Sequence, residues 1–139
     1  MTQALCLVQV TSQGWGRQLQ PDPAHLVTQV FCSACPVAYN SGHAAPWQPL
    51  ASIVLEGAFE ATLRAAALNA HRHRGAEGSR RVFLTLLGGG VFGNSVPWIV
   101  AALDAALQRC AGLGLDVRLV LFEPPVPREV SALVDKWGQ

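Results

Sequence analysis

Apolar residues recur at intervals of three and four through Leu50–Ala70, where Leu55, Phe59, Leu63 and Ala66 form one stripe and Glu56, Glu60 and Arg64 occupy another face. That spacing predicts an amphipathic helix with its stripe turned to a core. Pro49 stands where a helix can begin, and Glu60 and Arg64 are four residues apart in the favourable order. His71, Arg72, His73 and Arg74 follow, suited to the negative end of the helix dipole, before Gly75. This basic run is either a phosphate contact or a solvated helix end. A second stripe, Ile99, Ala102, Leu103, Ala106, Leu107 and Cys110, predicts a helix from about Val96 to Gly112. Asn94 or Ser95 is its cap, and Pro97 lies in its first turn. Pro127–Trp137 reads as a short closing helix with Val130, Leu133, Val134 and Trp137 buried.

Between these helices lie continuous apolar runs of strand length. Val82–Leu87 (VFLTLL) has the character of a central parallel strand covered on both faces. Asp116–Phe122 (DVRLVLF), Leu26–Cys32 (LVTQVFC) and Ala4–Val10 complete the strands. Thr11–Ala24 has no periodicity, and Ser33–Pro49 contains Pro36, Gly42, Pro46 and Pro49, so both read as loop. The order is strand, loop, strand, helix, strand, helix, strand, helix. It predicts an α/β fold with a mainly parallel or mixed sheet and helices on both faces, a three-layer α/β/α domain spanning residues 1–139.

Composition sharpens this picture. Charged residues are 14% of the 139, apolar and aromatic residues 50%, and the net charge is +1. Disorder is excluded, and long-range attraction to nucleic acid or a membrane surface is not the design. The apolar excess calls for a covering partner, either a second subunit of a homo-oligomer or a missing stretch of the same fold. Met1–Val10 does not read as a secretory signal, no apolar run is long enough for a span, and cytoplasm is the expected compartment.

The strongest local signal is Gly88-Gly89-Gly90-Val91-Phe92-Gly93-Asn94, a strand-to-helix turn. Such a turn presents successive backbone N–H groups at the positive end of a helix dipole, at the carboxyl end of a strand, where an anion is held without Lys or Arg. Its alternative is a tight turn that lets helix and sheet approach. Gly88, Gly90 and Gly93 also satisfy the G-x-G-x-x-G dinucleotide fingerprint, with Glu123 as a ribose ligand, although the Gly93-to-Glu123 spacing is long for it.

Cys32-Ser33-Ala34-Cys35 has C-x-x-C spacing, but it leaves a strand and meets Pro36, without the helix N-terminus that redox chemistry uses. Zinc would need two further ligands, with only His43 near, so neither metal nor cofactor is expected. No G-x-S-x-G elbow is present and no pair of carboxylates is placed for acid–base work. Trp15, Trp47, Trp98 and Trp137 are too scattered for a nucleic-acid stacking platform.

From Leu26 to Trp137 the chain resembles a macrodomain, the ADP-ribose-binding α/β/α module. The resemblance is carried by LVTQVFC leading into CPVAYN, by VLEGAFEATLRAAAL, by LTLLGGGVFGN and by VRLVLFEP. It implies that Gly88, Gly89 and Gly90 wrap a diphosphate and that Val91 lies under it. Phe92 would then be near the distal ribose, Gly93 and Asn94 would complete the turn, and Phe122 would lie beside adenine. For Phe92 and Phe122, ordinary core packing is the alternative. Met1–His25 departs from the family, having no adenine-reading acid, Asn-Ala-Asn segment or first glycine loop. Three functions follow: a module binding ADP-ribose or a related nucleotide diphosphate, an ADP-ribosyl hydrolase of the same fold with no catalytic residue identified, or an oligomeric interaction domain without ligand.

Overall fold

The computed structural model describes residues 5–9, 13–14, 17–18, 26–122 and 124–138. The chain divides into two compact units, Met1–Cys32 and Ser33–Gln139. In the first, β1 (Leu5–Gln9) and β4 (Leu26–Val30) pair antiparallel with Leu5 opposite Val30 and Gln9 opposite Leu26, so two of the predicted strands are present. The stretch read as loop contains β2 (Gln13–Gly14) and β3 (Arg17–Gln18), also paired antiparallel. Trp15 lies outside the described residues.

The second unit is a mixed helix and strand structure: three helices with a two-stranded parallel sheet. Helix α1 spans Gln48–Arg72, strand β5 Arg81–Leu84, helix α2 Val96–Arg109, strand β6 Asp116–Leu119 and helix α3 Arg128–Trp137. Arg81 pairs with Asp116 and Leu84 with Leu119, which places α2 in the crossover that parallel pairing requires. Short 3₁₀ turns at Val37–Tyr39 and Ala45–Trp47 punctuate the proline-rich stretch before α1.

The predicted stripes build the core. Leu55, Phe59 and Leu63 of α1 meet Ile99, Ala102, Leu103 and Ala106 of α2 and its C-cap Cys110, Leu133 of α3, and Val82 and Leu84 of β5, with Ala66 and Leu107 packed at the margin. Burial raises the Cys110 thiol above its ordinary range, which leaves it inert. Around the core, Arg109 of α2 ties to Glu56 (2.9 Å) and Glu60 (2.6 Å) of α1, and Lys136 of α3 ties to Asp104 of α2 (2.7 Å).

Within the second unit, Val82 and Leu84 are buried while Phe83 is 62% exposed, because the core gathers the helices on the Val82 and Leu84 side. The expected stripe of α3 needs correction. In α3, Val130 and Leu133 are buried but Val134 and Trp137 are not. The helix has ten residues and meets α2 along a narrow arc, so Trp137 lies at its edge, its indole Nε1 donating to Asp104 Oδ1 at 2.8 Å. At the end of α1 the chain turns left-handed at both Arg74 (φ 51°) and the expected Gly75 (φ 71°). Arg74 N–H donates to His71 O (3.0 Å) and Gly75 N–H to Ala70 O (2.9 Å), the paired bonds of a Schellman motif. The basic run His71–Arg74 is exposed at that end.

Candidate functional site

The loop between β5 and α2 is built from consecutive small turns. The strand stops at Leu84, short of the predicted Leu87, because the chain bends: Leu87 N–H donates to Thr85 O (2.8 Å) and Gly89 N–H to Leu86 O (3.0 Å). A second turn follows, closed by Gly93 N–H to Gly90 O (3.0 Å), and Asn94 N–H returns to Gly88 O (2.9 Å). Leu86 and Leu87 still pack on the core, which explains the apolar run beyond the strand.

A second segment, Ser33–Asn40, docks against this loop. Ala38 N–H donates to Phe92 O (2.9 Å), and the rings of Tyr39 and Phe92 meet edge to face at 5.7 Å. The glycines are where the two segments come closest. A Cβ on Gly88 (φ 80°) would lie 2.4 Å from the Ala34 Cβ, and one on Gly93 (φ 70°) 2.7 Å from the Ala38 Cβ. Gly89 is tight against Ile99 at 3.1 Å, whereas a Cβ on Gly90 would meet nothing within 4 Å. Close packing thus accounts for Gly88, Gly89 and Gly93, and leaves Gly90 without a structural reason.

Asn94 locks the arrangement. It is 3% exposed, and its Nδ2 donates to Cys35 O (2.8 Å) and Gly88 O (3.2 Å), joining both segments. Two carbonyl partners fix the amide's orientation, since a flipped amide would set oxygen against oxygen. Its Oδ1 is buried without a partner. Ser95 is the N-cap of α2 and makes no side-chain capping bond; its carbonyl receives Trp98 and Ile99 N–H.

The N–H groups of Gly90, Val91 and Phe92 find no acceptor among the described residues, and no Lys or Arg occurs in Thr85–Ser95. Three successive amides are thus left without a protein acceptor among the described residues, in the turn between β5 and α2, an arrangement that suits an anion. Gly89, whose N–H is engaged with Leu86 O, has none to offer. Val91 is exposed, and Phe92 is half-buried against Tyr39. Strand β6 ends at Leu119, short of the expected Phe122, which lies in the bend beyond the strand and is 80% exposed, so core packing does not account for it. Glu123 lies outside the described residues.

The sequence reading named Asn94 as a cap and turn residue but missed its tether role, and it missed Ala34 and Ala38 as the small residues that admit the glycines. The signal was present as small residues in both segments, but their pairing is long-range. Cys35 is half-buried with its carbonyl, not its thiol, in the arrangement. Among the described residues no three His, Cys, Asp or Glu side chains come together to hold a metal ion, and no helix is long and apolar enough to cross a membrane. No family model, curated protein or solved structure matches this chain.

Proposed function

We propose that the chain is a binding module for ADP-ribose or a related nucleotide diphosphate, held at Gly88–Asn94. The observation that carries this reading is the row of unengaged amides at Gly90, Val91 and Phe92, on a turn that Asn94 and the Ser33–Asn40 segment hold in shape. A diphosphate would accept from these amides at the positive end of the α2 dipole. Phe122, 80% exposed in the bend beyond the adjacent parallel strand, would be the residue to meet a base, and stacking of that kind adds about 0.5–1.5 kcal/mol beyond area burial. The resemblance to macrodomains supports the same ligand class. The reading includes a three-layer α/β/α arrangement, in which the β5–β6 face carrying Phe83 and Val120 is the one a further layer covers.

Calorimetric titration with ADP-ribose, with ADP and NAD as controls, tests the proposal. Micromolar binding of ADP-ribose, weaker for ADP, is expected. Gly90→Glu places a carboxylate beside the amides at a position with open space, so it should abolish binding while leaving the melting temperature near that of the parent. Preference for NAD would favour the dinucleotide fingerprint instead. Absence of binding to all three would overturn the reading.

A further inference from the structure

Arg80 stands just before β5, at the amino end of the strand, with its guanidinium held between two turns. Its Nη1 donates to Gly114 O at 3.2 Å, in the turn from α2 to β6. On the other side is Gly75, in the turn after α1, where a Cβ would sit 3.5 Å from Nη2 and 3.7 Å from Nε. A Cβ on Gly114 would come to 2.9 Å from Nη1, so both turns pass the arginine with bare backbone. Gly75 (φ 71°) and Gly114 (φ 64°) are both left-handed, a conformation that suits residues without a side chain. The Nε–Nη2 edge runs beside Gly75 and makes no hydrogen bond among the described residues. That edge is the one with which arginine grips an oxyanion through two parallel N–H bonds.

Arg80 also has no carboxylate. Asp116 is engaged by Arg81 (3.4 Å) and Arg118 (2.9 Å). Glu77, the one acid in residues 71–81, forms no ion pair with it among the described residues. The surroundings add positive charge instead, through exposed Arg72 and Arg74. The dipole of α1 gives Arg72 a structural reason, since it closes the last turn. Arg74 lies beyond that turn, at φ 51°, where a side chain is strained and glycine would not be. A strained arginine next to Gly75, and so next to the unpaired edge of Arg80, sets like charges together without a counter-ion. Both the strain and the repulsion cost stability, and a bound anion offsets the second.

We propose that this notch binds a phosphoryl group, with Arg80 taking two of its oxygens through Nε and Nη2 and Arg74 supplying the second cation that a dianion calls for. The site is at the amino end of β5, whereas the glycine turn is at the carboxyl end, and it stands independently of the ligand proposed there.

Titration of inorganic phosphate into the full ¹⁵N-labelled chain at constant ionic strength, following the Gly75 and Gly114 amide resonances, tests it. Saturable shifts are expected, with the same affinity in the Gly90→Glu chain, whose glycine turn is blocked. Arg80→Gln should weaken binding about tenfold, as loss of a charge-assisted pair of hydrogen bonds does. Arg74→Gly, which removes charge while relieving backbone strain, should weaken it about threefold or more and still melt higher than the parent. Phenyl phosphate separates the sources: tighter binding than inorganic phosphate assigns the site to a phosphoryl group carried on a larger molecule, weaker binding to free phosphate. Shifts no larger than sodium chloride gives, shifts lost in Gly90→Glu, or an affinity unchanged by both Arg80→Gln and Arg74→Gly would overturn the proposal.

Discussion

At the scale of single residues, the glycines of one loop do different work. Gly88 and Gly93 have backbone angles that side chains rarely adopt and lie against Ala34 and Ala38, whereas Gly90 has neither constraint. Gly88→Ala should therefore cost about 2–4 kcal/mol, combining left-handed strain with overpacking. Gly90→Ala should stay within about 0.5 kcal/mol, as an open surface position does. Urea denaturation of the two variants checks the contrast, and equal effects would refute the assignment of roles. The sequence signalled a costly glycine run but not which members were bound by packing, because Ala34 and Ala38 are more than fifty residues away in the chain. Asn94 shows the same gap. Its position before a helix suggests a cap, while its amide in fact bridges two loops.

At the scale of elements, α1 ends through Arg74, a residue with a Cβ in the conformation that glycine adopts most easily. The Schellman bonds persist around it, so removing the side chain relieves the strain without losing a hydrogen bond. Arg74→Gly should raise stability by about 0.5–1 kcal/mol, the strain relieved being partly offset by the greater freedom of glycine when unfolded. Thermal melts measure this, and destabilisation would show that the Arg74 side chain holds a contact. The stop was legible in Gly75 and the basic run; that Arg74 turns left-handed as well was not, because the hydrogen bonds to Ala70 and His71 decide it. Strand ends follow the same logic. VFLTLL reads as six strand residues, but pairing ends at Leu84 since the turn at Leu86–Gly89 takes over the backbone bonds.

At the scale of the whole molecule, carboxylates on three elements link stability to pH. Lys136, with Trp137, holds the Asp104 carboxyl below its usual range; Arg64 and Arg109 do so for Glu60; Arg118 and Arg81 do so for Asp116. A depressed folded-state value means that the contribution is present above the unfolded value and is lost as pH falls through the folded one. Stability should accordingly be level between about pH 7 and 5 and decline below about pH 4. Asp104→Asn, which keeps the shape but not the charge, should make that acid decline shallower. An unchanged acid limb in urea midpoints would show that the α2–α3 link is not coupled to folding.

What the sequence determined by itself is the kind and order of the main elements of the second unit and most of the stripes that become its core. Leu55, Phe59, Leu63, Ile99, Leu103 and Leu133 were readable because helical periodicity is a local property, and burying that stripe is the only way to shelter it. The glycine turn was legible for the same local reason, as a conformational cost concentrated in a few residues. Tertiary structure alone decided what the periodicity leaves open. It set Ser33–Asn40 against Gly88–Asn94, made Asn94 the tether, left the amides of Gly90, Val91 and Phe92 without an acceptor among the described residues, and turned Phe83 and Phe122 to the surface. Those outcomes depend on which segments, distant in the chain, compete for the same space and the same hydrogen bonds, and that competition is settled only when the chain has packed.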